Sequence, residues 1–184
     1  MKTVYRILAF SLLMMSCQSN KEGTDNLNAI VEKQSKEATT KPQSNTILTE
    51  AQFNNFFPKE IGDYKLVNVS VLMSSAVASA MYIKDNDYKH SMTYSLEDCN
   101  RKGSANIRNF EDSYKLKPQG PLGTEYVYKE RDGYKTIAFL QPNIKRNNIG
   151  FIYNNRFRIV LNGTADVDVL WTYFKKEDLK KLNN

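Results

Sequence analysis

The dipeptide Asp132-Gly133 constrains this chain more than any other feature. It separates two runs in which apolar and polar residues alternate, 124–131 and 134–141. Asp-Gly tolerates the two positive φ angles of a type I′ turn, whose twist matches that of paired strands. A two-residue loop also sets the register: Tyr128 opposite Ile137, Tyr126 opposite Phe139, and Glu130 opposite Lys135. An antiparallel ladder is therefore expected in whatever fold the chain adopts.

Other segments extend that sheet. Residues 64–72 alternate, with Val67, Val69 and Val71 on one side and Asn68 and Ser70 on the other. Residues 78–84 form a second run, and Asp85-Asn86-Asp87 turns the chain into a third, where Tyr88, His90, Met92, Tyr94 and Leu96 share one side. Asn154-Asn155 reads as another two-residue turn, joining 149–153 to 156–161. Helical signals flank and interrupt the strands. Thr49-Glu50-Ala51-Gln52 is a capping box, and Pro58 closes the short helix it opens. Ile107, Phe110 and Tyr114 recur at helical spacing over about 104–116, before Pro118 and Gly120. A last helix is expected from a cap at Asp166, with Val167, Leu170, Trp171 and Phe174 on its apolar side and Leu179 and Leu182 beyond. The expected class is α+β: an antiparallel sheet of six or seven strands covered by two or three helices. One domain, residues 47–184, suffices to hold it.

This order of elements resembles the PsbP-like sandwich, and the stretch from Arg156 to Thr164 followed by a helix is similar to the end of that family. The domain also resembles uncharacterised lipoproteins of Bacteroidota. Neither likeness carries a functional residue.

The first residues are of a different kind. Lys2 and Arg6 precede the apolar run Ile7 to Met15, which is shorter than the roughly 20 residues a membrane-spanning helix needs. The run ends at Met14-Met15-Ser16-Cys17. This resembles the bacterial lipobox, with Met14 where leucine is usual. The resemblance implies a signal peptide over residues 1–16 and a mature chain starting at Cys17, acylated with several chains, palmitate among them. Each buried methylene contributes roughly 0.8 kcal/mol, so such an anchor is effectively permanent. Gln18, where an inner-membrane retention signal places aspartate, implies the outer membrane, facing either the periplasm or the surface. Residues 17–46 are polar and contain no aromatic side chain, so a disordered linker with a reach of roughly 30 Å is expected.

Composition narrows the function. Net charge is +6, and losing Lys2 and Arg6 would leave +4 along a mature chain with no basic cluster, which argues against nucleic-acid binding. Cys17 and Cys99 are the two cysteines, so a lipidated Cys17 leaves one thiol and no disulfide framework. His90 is the single histidine, which rules out a His-rich zinc site. Its place on the apolar side of its strand suggests a packed ring. Cys99 reads as structural, for want of a nearby base. Paired acids occur at Asp85/Asp87, Glu97/Asp98, Glu111/Asp112, Asp166/Asp168 and Glu177/Asp178, without the spacing of a calcium loop. No phosphate-binding loop or nucleophile elbow occurs, and no metal or cofactor is expected.

The last hairpin is the candidate binding surface. A two-residue turn would set Tyr153 opposite Arg156 and Phe151 opposite Arg158, on the face away from Ile152, Phe157 and Ile159. Arginine beside aromatic rings suits a carbohydrate, a carboxylate or a protein partner. The expected role is a non-enzymatic binding or scaffold module at the cell envelope, held at a membrane by the lipid on Cys17 and working on an envelope protein or polymer. The alternatives are an enzyme acting on an envelope polymer through a carboxylate pair, and an immunity-type lipoprotein.

Overall fold

The computed structural model describes residues 46–183. The expected signal peptide, Cys17 and nearly all of the expected linker lie outside the described residues. Element order is α1 (Glu50–Phe56), β1 (Glu60–Ile61), β2 (Tyr64–Leu72), β3 (Val77–Lys84), β4 (Asp87–Asp98), α2 (Asn106–Leu116), β5 (Glu125–Arg131), β6 (Tyr134–Gln141), β7 (Arg146–Tyr153), β8 (Phe157–Gly163), α3 (Val167–Thr172) and α4 (Lys176–Lys180). The strands form one antiparallel sheet in the order β1-β2-β3-β4-β8-β7-β6-β5. The α+β class stands, with eight strands among the described residues instead of six or seven and four helices instead of two or three. The extra strand, β1, has two residues and so no alternation to read.

The expected turn chemistry is present. Asp132 and Gly133 have φ of 50° and 82°, and Tyr128 faces Ile137, Tyr126 faces Phe139 and Glu130 faces Lys135. Thr49 accepts from Gln52 N while the Gln52 side chain accepts from Thr49 N, completing the capping box of α1.

The two halves of the sheet repeat one layout about the β4/β8 seam. Each half runs through a tight hairpin, a short 3-10 turn between its second and third strands, and a second hairpin into the strand at the seam. The 3-10 turns, Met73–Ser75 and Pro142–Ile144, each end on a left-handed residue, Ala76 or Lys145, with φ 51° and ψ 44°. The second hairpins turn on Asp85-Asn86 and Asn154-Asn155, all four at positive φ. One extra residue between Leu66 and Asn68 bulges β2. That bulge ends the expected alternation: Val69 and Val71 face the core, but Val67 is exposed.

One face of the sheet is the core. Ala78, Ala80, Tyr82, Met92, Tyr94, Leu96, Ile149, Phe151, Ile159 and Leu161 are buried there beneath Phe53 and Phe56 of α1, Leu170 of α3 and Leu179 of α4. Tyr94 packs edge-on to Phe56, Phe57 and Phe174. The closing helix is broken in two. Phe174 leaves it to meet both Tyr94 and Phe151, and Lys175 is extended. Asp166 stands at the N-cap of α3 without a side-chain capping bond. Of the expected inward row on β4, Met92, Tyr94 and Leu96 are buried. Tyr88 and His90 are exposed, because the ladder slips between Ile83 and Lys84. His90 is therefore not a packed histidine.

The opposite face is covered differently. α2 lies over its β5–β8 half, whereas across β2–β4 it presents Asn68, Ser70, Ser79, Met81, Thr93 and Ser95, with Ser79 and Ser95 hydrogen-bonded at 2.9 Å.

Candidate functional site

The last hairpin does not form the expected surface. Asn154 and Asn155 have φ of 50° and 48°, and Arg156 N donates to Tyr153 O, as in a type I′ turn. The ladder then resumes one residue late: Tyr153 faces Phe157, Ile152 faces Arg158, and Phe151 faces Ile159. Arg156 is the extra, bulged residue, and one residue of slip exchanges every side chain between faces. Phe151 and Tyr153 thus belong to the core, and the two arginines part company.

Arg156 turns inward. Its Nε and Nη2 donate to the two carboxylate oxygens of Asp98, which is fully buried, and Nη2 also donates to Thr46 O. Asp98 accepts from Leu48 N and Asn100 N as well. The pair fastens the segment entering the domain to the end of β4. Glu97, one residue earlier, points to the other face, where it accepts from Asn106 Nδ2. Adjacent acids on a strand diverge, so Glu97 and Asp98 do not form a carboxylate pair. Asp168 is held by Arg131 at 2.9 Å, and that hydrogen bond lowers its pKa. Glu111 pairs with Lys135 and Asp178 with Lys181. Among the described residues, no three His, Cys, Asp or Glu side chains cluster as metal donors. Burial, with the nearby charge of Glu97 second, pushes the buried Cys99 thiol up to about 11. It stays protonated at neutral pH and is a poor nucleophile.

Arg158 has the other fate. Its side chain lies half-exposed on the outer face and lines a crevice of about 380 Å³ between α2 and the sheet. Known ligand pockets run from about 300 to 1,000 Å³, so this one would take a small ligand. Across the strands the floor reads Tyr128, Ile137, Gly150 and Val160 in one row and Tyr126, Phe139 and Asn148 in the next. Residues directly opposite in a ladder share a face, which is why these side chains converge. α2 supplies the wall through Asn106, Asn109, Phe110 and Ser113.

The two ends of the crevice differ. At the start of α2, Arg158 Nη1 lies 3.8 Å from Glu97 Oε2, beyond hydrogen-bond length. Asn106, on the same Glu97, marks that end as well. At the other end Tyr128 Oη donates to Pro118 O, its ring meets Tyr114 edge-on, and Tyr126 lies over Phe139 with centroids 4.6 Å apart and a tilt of 32°. Gly150 sits between. A Cβ there would come within 3.0 Å of Val160 Cγ2 and 3.1 Å of Ile159 O, so a side chain at this point of the floor would crowd β8. Arg158 is the single charged side chain of the lining, set among three amides and four aromatic rings.

Of the four residues of the expected binding surface, Phe151, Tyr153, Arg156 and Arg158, only Arg158 reaches this crevice, and Cys17 lies outside the described residues. Tyr126 and Phe139 were already paired by the Asp132-Gly133 hairpin; what the pattern lacked was the side on which α2 would lie. No protein-family model and no curated protein sequence matches this chain.

Proposed function

We propose that this chain is a lipid-anchored protein of the bacterial cell envelope, its domain a non-enzymatic binding module and the crevice beneath α2 its binding site. The lipobox-like Met14-Met15-Ser16-Cys17 supports the anchor. The crevice itself carries the binding reading. It has an aromatic floor, a glycine within that floor, convergent amides and one cation, and no pair of carboxylates lines it. Such a lining suits orienting and holding a ligand.

The test is photo-crosslinking in intact envelopes. A benzophenone side chain is placed in the full chain at Asn109, in the crevice wall, or at the exposed Lys115 on the same helix as control. The expected result is a discrete adduct from position 109, absent from 115 and lost when Tyr126→Ala is added. Equal labelling from both positions, or none from 109, would contradict the assignment.

A further inference from the structure

We infer that the ligand of this crevice is a carboxylated saccharide, its acid group on Arg158 and a sugar ring over the Tyr126–Phe139 pair. The inference rests on the reading of the crevice as a binding site, and four features of its walls lead to the ligand class.

The first is charge. Arg158 is the only charged side chain of the lining; its Nη1 makes a loose ion pair, 3.8 Å long, with Oε2 of Glu97, whose Oε1 accepts from Asn106 Nδ2. That contact is longer than a hydrogen bond, so the guanidinium fork can exchange it for two parallel bonds to an incoming carboxylate. The second is the helix above it. α2 has eleven residues, no acid in its first turn and no side-chain cap from Ala105, so its positive end is not offset there by an acid of its own. Both features put a ligand's negative charge at the same end.

The third is the surface at the far end. Tyr126 and Phe139 are stacked as a tilted pair with an outer ring face left for a ligand, and Tyr128 is pinned beside them by Pro118. Aromatic faces suit the C–H face of a sugar, which is apolar although its rim is not. The fourth is the lining between these ends. Asn109 and Asn148 carry both donors and acceptors, matching hydroxyls that are themselves both. A plain fatty acid would leave those amides unpaired, and burying unpaired polar groups is costly. Asn106 to Ser113, the stretch of α2 that lines the crevice, spans roughly 10 Å, so its two ends are far enough apart for a short oligomer and too far for one small acid to touch both.

The test is titration calorimetry with hydrogen-exchange mass spectrometry on the full chain in mild detergent. The probes are trigalacturonic acid, its methyl ester and trialanine. The acid should bind and protect amides of β6 and β7, and the ester should bind roughly tenfold or more weakly, as loss of a charge-assisted contact requires. Arg158→Gln should lower affinity for the acid to that of the ester and leave the ester unchanged. Tyr126→Ala should weaken both. Thermal melts of each variant report whether it is folded, and Arg158 is exposed enough for its replacement to be tolerated. Equal affinity for acid and ester, indifferent to Arg158→Gln, would overturn the acid assignment. Tighter binding of trialanine would overturn the saccharide, and silence with all three probes would overturn both. The Asn109 crosslink judges the crevice separately, so an adduct there alongside such silence would sink the ligand class alone.

Discussion

Replacing Arg156 would strand the carboxylate of Asp98 in the interior, with only the N–H groups of Leu48 and Asn100 among the partners described here to hold its charge. Removing one partner of a buried pair typically costs about 3–5 kcal/mol, far more than the pair contributes as an intact unit. Arg156→Ala should therefore lower stability by about that much in urea denaturation, whereas Arg158→Ala, at an exposed site, should change it by less than about 1 kcal/mol. Comparable losses for the two would contradict the division of labour. That division was illegible in the sequence, where two arginines flank one phenylalanine and alternation puts them on one side. The bulge at Arg156 overturns the alternation, and its cause is long-range. Asp98, on another strand, takes the guanidinium and so selects the residue that steps out of the ladder. Cys99 was easier to read: Arg101 and Lys102 stand close in sequence, but no base is evident beside it, and burial raises its pKa instead of lowering it.

At the scale of elements, local chemistry carried most of the outcome. The capping box of α1 and the Asp132-Gly133 hairpin form as expected because each is decided within about four residues, by side-chain capping and by tolerance of positive φ. Less legible were features decided by packing. The closing helix splits because Phe174 finds more apolar contact against Tyr94 and Phe151 than along a helix, and β1 pairs only because β2 is already in place. The repeated half-sheet has its own local signature, one left-handed residue after each 3-10 turn. Lys145 holds that conformation with an exposed side chain. An L-residue there costs about 1–2 kcal/mol, only partly offset by the extra unfolded-state freedom of glycine. Lys145→Gly should accordingly stabilise the domain by about 0.5–1 kcal/mol. Ala76→Gly should gain little, since it also gives up a fully buried methyl group. A higher urea midpoint for the first and a nearly unchanged one for the second is the expected pattern, and a destabilised Lys145→Gly would mean the position is not left-handed in solution.

For the molecule as a whole, the decisive arrangement is a sheet with two unlike faces. α1, α3 and α4 cover one face and build the core. α2 covers only part of the other, leaving the crevice at the line where helix and sheet do not close. Sequence periodicity marks which residues are apolar but not which layer a helix joins, and so the fold class was legible while the site was not. No helix among the described residues is long and apolar enough to cross a membrane. The proposal places the anchor at Cys17. The claim on which this picture depends is the acylated cysteine, and the most direct measurement is the intact mass and N-terminal peptide of the protein recovered from native membranes. The account expects a chain beginning at Cys17 and heavier than its sequence by the mass of its acyl chains. A chain beginning elsewhere, or an unmodified Cys17, would contradict it.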